Sequence, residues 1–269
     1  MILEDFGCLL TNNSRSKAYI QKLIKNSFIP EVVVYYKQEE LSELRKNDID
    51  TSTTEGIVQD AFKKRKYFLY DTKLKNETVL KTNYSKPEKY ATFNTKESVI
   101  ETLQKNNISY FSVQAMSIND KEVIEAIENT KPTFFIFGGG GILKKEILCV
   151  GKKFIHIHPG RIPYYRGSHC IEWSVLEEEG CVASAIFMNE IIDGGELIAQ
   201  REFDYPELEN NNIAPLYSSH IRSELLIDII KDYCKNDRFN SSRQNASEGE
   251  TYYKMHPALT NLVFHRLTE

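Results

Sequence analysis

ISYFSVQAMSINDKEVIEAIENTKPTFFIFGGGGILKKEILCVGKKFIHIHP, residues 108–159, decides the fold class. ISYFSV is a run of β-branched and aromatic residues that reads as a strand, SINDKEVIEAIENTK as a helix capped by Asn119 or Asp120, and PTFFIF as a second strand. The glycines 138–141 turn the chain into a short helical piece, and KKFIHIHP is a third strand. Strands separated by short helices imply right-handed βαβ crossovers and a mostly parallel sheet, so the expected class is α/β with a Rossmann-like core.

The same rhythm extends outward. GCLL, the polar turn TNNSRS, the helical spacing of KAYIQKLIKN and the run EVVVYY at 31–36 read as strand, turn, helix and strand. Residues 37–53 carry no period, and 54–105 mix weakly helical pieces with short aromatic runs such as KYFLY and YATF. Beyond the central stretch, 168–179 read as helix, and VASAIFMNE and GELIAQREF as paired strands around IIDGG. Pro206 closes a core of residues 1–205. A C-terminal appendage, 206–269, holds a long amphipathic helix from about Ala214 to Cys234, a polar tract and the ending TYYKMHPALTNLVF.

With 34 Lys and Arg against 38 Asp and Glu the formal charge is −4, so no bulk positive field favours nucleic acid or anionic lipid as a partner. The longest apolar stretch is glycine-broken, and MILEDFG opens with acidic residues where a signal peptide carries basic ones, which sets the expectation of a cytoplasmic chain without a membrane partner. Five cysteines without a CxxC spacing read as reduced thiols.

In open α/β sheets ligands sit beyond the carboxyl ends of the strands, which singles out three places. After PTFFIF the glycines either form a tight turn or let a flat ligand approach the backbone. In Ile155-His156-Ile157-His158 side chains alternate, so His156 and His158 share one face. Two polar rings on a buried strand point to chemistry, and a His-x-His metallohydrolase, with His169 or His220 as further ligands, is one form of it. Asp193 precedes Gly194 and Gly195, as turn residue or as a third member of that site.

The run FIHIHPGRIPYYRG, with Asp193 of IIDGGELIAQ 35 positions after His158, resembles the enzymes that transfer formyl from 10-formyltetrahydrofolate. Those carry Asn-x-His-Pro-x-x-x-Pro, then Arg-Gly or Lys-Gly, then Asp-x-Gly about three dozen residues on. His158, Pro159, Pro163, Arg166, Gly167, Asp193 and Gly195 stand at matching positions, and His156 stands where that family has its asparagine. The resemblance is good over 108–205 and weaker for LLTNNSRSKAYIQKLI. It implies an N-formyltransferase with His156, His158 and Asp193 as catalytic groups, no metal, and 10-formyltetrahydrofolate as donor. Gly140, Gly141, Ile142 and Leu143 would form one wall of the folate site, and Glu190, Ile191 and Ile192 the other. Ile142, Leu143 and Ile191 read equally well as core.

The resemblance also bears on the acceptor. The initiator-tRNA branch carries a basic C-terminal barrel, unlike 206–269, and the glycinamide ribonucleotide branch lacks a segment like 37–105. This leaves a nucleotide-linked deoxyamino sugar, with YYKMHP resembling the ending of that branch. Asn13, Ser14 and Arg15 at a helix start would hold a phosphate, or merely cap the helix. Tyr164, Tyr165 and Arg166 would contact the acceptor, or pack. A homodimer and a non-catalytic folate-binding protein are further expectations compatible with the sequence.

Overall fold

The computed structural model describes residues 1–38, 92–139, 141–205, 215–245 and 247–268. A seven-stranded sheet is built from β1 (Ile2–Leu10), β2 (Ile29–Gln38), β3 (Tyr110–Ala115), β4 (Phe134–Phe137), β5 (Lys153–His158), β7 (Cys181–Phe187) and β8 (Leu197–Phe203), in the order β3-β2-β1-β4-β5-β7-β8. β1 to β5 are mutually parallel, whereas β7 runs antiparallel to β5, and β8 to β7. The mostly parallel α/β sheet expected from residues 108–159 is thus found. Strand order reverses beside β1 and β4, and this switch point opens a crevice at their carboxyl ends, next to Thr11–Asn13 and Gly138–Gly139.

Between the strands run α1 (Ser14–Lys25), α2 (Val99–Lys105), α3 (Lys121–Glu128), α4 (Lys145–Leu148) and α5 (Cys170–Leu176). α1 begins inside the stretch the sequence suggested as a turn, because Asn13 caps it: the Asn13 carboxamide oxygen accepts the Ser16 N–H at 2.8 Å.

Each face of the sheet has its own apolar layer. One unites Cys8, Leu10, Ile155 and Ile157 with Tyr19, Ile20 and Leu23 of α1 and with Ile221, Leu225 and Ile229 of α6 (Pro215–Asn236). The other joins Leu9, Val34, Phe135, Phe137 and Phe154 to Val123, Ile127, Leu143 and Ile147. Period-two alternation along β5 therefore sends both isoleucines into the first layer and leaves His156 and His158 on the face of Phe154. Each fully buried isoleucine contributes about 1.5–3 kcal/mol, which holds the histidine strand in register.

The break at 205/206 suggested by the sequence adjoins 206–214, which lie outside the described residues. The described part of the appendage joins the same core: α6 supplies much of the first layer, and Met255 and Val263, the latter in α7 (Pro257–Thr268), add to it. Backbone pairing ties it further, with Ser242 bridged to Leu197 and β9 (Glu250–Tyr252) parallel to β6 (Tyr165–Gly167). No helix among the described residues is long and apolar enough to cross a membrane.

Candidate active site

At the end of β5, His158 is almost wholly enclosed. Its Nε2 donates to the Tyr165 carbonyl at 2.8 Å, and its Nδ1 lies 3.3 Å from Asp193 Oδ2. Gly160 permits this arrangement, since a Cβ there would stand 2.7 Å from both His158 Nε2 and the Tyr165 oxygen. His156 is held less tightly: Nε2 is 3.8 Å from Asp193 Oδ1, beyond hydrogen-bonding range, and buried Nδ1 has no partner. Burial pushes the His156 imidazole well below its ordinary range, with Arg15, Arg222 and His158 adding to the effect, so His156 is neutral at pH 7. Burial also lowers His158, against the opposing pull of Asp193 and the Tyr165 carbonyl.

Asp193 occupies the left-handed region, φ 52°, and its Oδ2 accepts the Gly167 N–H at 2.9 Å. From the appendage, Gln244 Nε2 donates to the carbonyls of Asp193 at 2.8 Å and of Gly195 at 2.6 Å. This side chain was invisible to sequence reading, being one glutamine in a polar tract. The same holds for Arg222 of α6, which is buried and near enough to Asp193 and Arg15 to interact with both charges. One atom each of His156, His158 and Asp193 all lie within 4.8 Å of one another, a spacing a metal ion could share.

The formyl transferase family model matches residues 12–212. The chain belongs to that family. A methionyl-tRNA formyltransferase of Clostridioides difficile is 34% identical over 115 residues, 42% of this chain and 35% of the relative. The chain spans about half or less of the length of the first curated relatives it matches. Among solved structures, a 4-N formyltransferase from Francisella tularensis has a TM-score of 0.51 at 17% identity, covering 98% of this chain and 88% of its own. A sugar N-formyltransferase from Shewanella sp FDAARGOS_354 has a TM-score of 0.51 at 13% identity, covering 97% and 87%. These last two likenesses concern the fold.

Within this formyl transferase fold the other residues singled out by sequence divide into two groups. Ile142, Ile191 and Ile192 are each more than half exposed, with Glu190 beside them, and Gly141 has a φ of 141°. Gly140 lies outside the described residues. Leu143 is core, packed in the second apolar layer, and so is withdrawn from the suggested folate wall. Of the suggested acceptor contacts, Tyr164 is half exposed and Ser14 partly so. Asn13 is spent on capping α1 and on donating to the Gly138 carbonyl at 3.1 Å. Tyr165 is buried, stacked on Tyr252 with its hydroxyl donating to Glu177 at 2.6 Å. The Arg166 guanidinium donates to the carbonyls of Glu248 and Gly249, holding the appendage. Of the two readings the sequence left open for Tyr165 and Arg166, acceptor contact or packing, burial fits the second: the chain turns both inward where β6 pairs with β9.

Proposed function

We propose that the protein is a folate-dependent N-formyltransferase that formylates the amine of a small acceptor, a nucleotide-linked deoxyamino sugar. The observation that carries this reading is the geometry around Asp193: one carboxylate oxygen is anchored by Gly167 and faces His158, and the other is turned toward His156. The donor, 10-formyltetrahydrofolate, supplies the formyl group, whose oxygen gains negative charge as an amine attacks. His156 holds the ring N–H left to stabilise that charge, because His158 Nε2 is spent on the Tyr165 carbonyl and its Nδ1 faces Asp193. Asp193 Oδ1 takes the proton released by the amine and returns it to N10 as the formyl C–N10 bond breaks and tetrahydrofolate leaves, and His158 positions Asp193 rather than meeting the ligand. Exposed Ile142, Ile191 and Ile192 offer apolar surface suited to a flat pterin, and the positive-φ backbone at Gly139 and Gly141 is compatible with its close approach.

The sugar acceptor is supported by the fold likeness to the two sugar-directed or 4-N formyltransferases over nearly the whole chain, and by the absence of a bulk positive charge. The test is mass spectrometry of purified protein with 10-formyltetrahydrofolate and, in parallel, amino-deoxysugar nucleotides and unformylated initiator methionyl-tRNA. Formamide product from a sugar nucleotide is expected. Formylation of the tRNA alone would overturn the acceptor, and no formyl transfer to any amine would overturn the reaction.

The clustered ligand atoms of His156, His158 and Asp193 favour one second reading, metal-dependent hydrolysis. Elemental analysis of gently purified protein decides it: one stoichiometric metal, lost together with activity on chelation, would replace the formyl transfer reading.

A further inference from the structure

A second polar cluster lies beside the His–Asp constellation, and formyl transfer by His156 and Asp193 leaves it without a task. Arg222, on α6, is 8% exposed, and Tyr19, on α1, is fully buried. Arg222 Nε, Arg15 Nε and the Tyr19 hydroxyl are all enclosed with no hydrogen-bond partner. The Arg15 guanidinium lies against the end of β4, 3.5 Å from where a Cβ of Gly139 would stand. α1 and α6 pack side by side, and Arg222 is close enough to interact with Arg15, Tyr19, Asp193 and Cys170 at once.

Charge accounting shows what is missing. Among the described residues no carboxylate comes within ion-pair distance of Arg15 or Arg222. Asp193 is the negative group they both sense, yet its oxygens are directed to Gly167 and the histidines. Burial, with Arg15 adding to it, pushes Arg222 down to about 9, which leaves it protonated at neutral pH. A buried guanidinium and a partly buried one, its Nε enclosed, against one carboxylate leave a net positive charge in a largely enclosed place, an arrangement that costs stability unless an anion completes it.

We infer that Arg222, Arg15 and Tyr19 form the floor of an anion subsite that seats a phosphate group of the acceptor close to the reacting amine. Guanidinium forks match phosphate oxygens, a tyrosine hydroxyl adds a further donor, and two positive charges suit a dianion better than a single carboxylate. The subsite joins α6 of the appendage to Arg15 in the opening turn of α1, whose Asn13 and Ser16 are already closed on Gly138. Assigning the phosphate to the acceptor rests on the formyl transfer reading, whereas the subsite itself rests on burial and charge.

The experiment measures inorganic phosphate binding by calorimetry and thermal shift, in the absence of folate and amine, with acetate as a second arm. Wild type should bind phosphate and be stabilised by it. Arg222→Met should bind phosphate at least about tenfold more weakly, the loss of one charge-assisted contact. In phosphate-free buffer it should melt no lower than wild type, because an unpaired buried charge has been replaced by apolar volume. Tyr19→Phe, which keeps the ring, should weaken phosphate several-fold, and it decides the question together with Arg15→Gln if Arg222→Met does not fold. No phosphate binding by wild type, undiminished binding by these variants, or tighter acetate than phosphate would overturn the subsite. A chain that binds phosphate through these residues but formylates nothing would overturn only the transfer reading.

Discussion

The turn that opens α1 and the turn that carries Asp193 both contribute to the polar cluster, and they are held in opposite ways. Around residues 11–16 the side chains of Asn13 and Ser16, though not that of Arg15, are closed within the turn and on Gly138: Asn13 binds the Ser16 N–H and the Gly138 carbonyl, while Ser16 Oγ accepts from the Thr11 N–H and donates to the same carbonyl. Around 189–195 Asn189 closes locally on the Ile191 N–H and the Gly194 carbonyl, but Asp193 itself is held from far along the chain, by Gly167 and by Gln244, and keeps an oxygen free of hydrogen bonds. Asn13 and Ser16, with their groups spent, are structural devices. A turn held from outside, with its acidic group only half used, is set up to react with something else.

Substitutions at the two turns should therefore differ in kind. The largest effect is expected for Asp193→Asn, which keeps the shape and removes the proton acceptor: kcat/KM for formyl transfer should fall by about 10³-fold or more with little change in melting temperature. If Asp193→Asn chiefly destabilises the fold instead, the contrast between the turns is wrong. His156→Ala should lose about 10²-fold, the usual result of deleting one oxyanion donor, whereas His156→Asn should retain most turnover. The same residue should leave a trace in stability. The unfolded chain protonates His156 below about pH 6.5 and the folded chain resists it, so stability is full above that pH and declines as pH falls toward the lower folded value. Melting curves of wild type and His156→Asn should coincide above pH 7 and separate below 6.5, with wild type losing more.

Gln244→Leu removes two hydrogen bonds that fix the Asp193 turn, and about tenfold in kcat with KM unchanged is expected from steady-state kinetics. An unaltered kcat would make the tether merely structural. Asn13→Ala should be mildest for chemistry, costing about 1 kcal/mol of stability, roughly 3 °C in melting temperature, and leaving kcat within twofold. A large loss of kcat there would erase the distinction between the turns.

How much of this is legible in the sequence follows the range of the forces involved. The strands of residues 108–159 and the sharing of one face by His156 and His158 follow from local alternation, and both appear in the fold. α2 escaped notice although Ser98 and Glu101 form a capping box, because it adjoins a stretch without period. β6 and β9 are three residues each, too short for any pattern, and their pairing is what turns Tyr165 and Arg166 away from the cleft. Arg222 reads as one more charge on an amphipathic helix, since nothing near it in sequence records that α1 and the Asp193 turn close over it. The constellation of His156, His158 and Asp193 was recoverable only because spacing in the family stands in for a contact made across 35 residues.

The tether from Gln244 has a consequence for the order in which the molecule is made. On the ribosome, all seven strands of the sheet have been synthesised by residue 203, and the histidine strand can find its neighbours while the rest is still in the exit tunnel. Asp193 cannot yet be clamped, because Gln244 and the β9 partner of β6 have not emerged. A nascent chain therefore acquires its scaffold before its reactive geometry, and a chain cut between the end of α6 and residue 244 should fold its sheet yet leave the acidic turn loose.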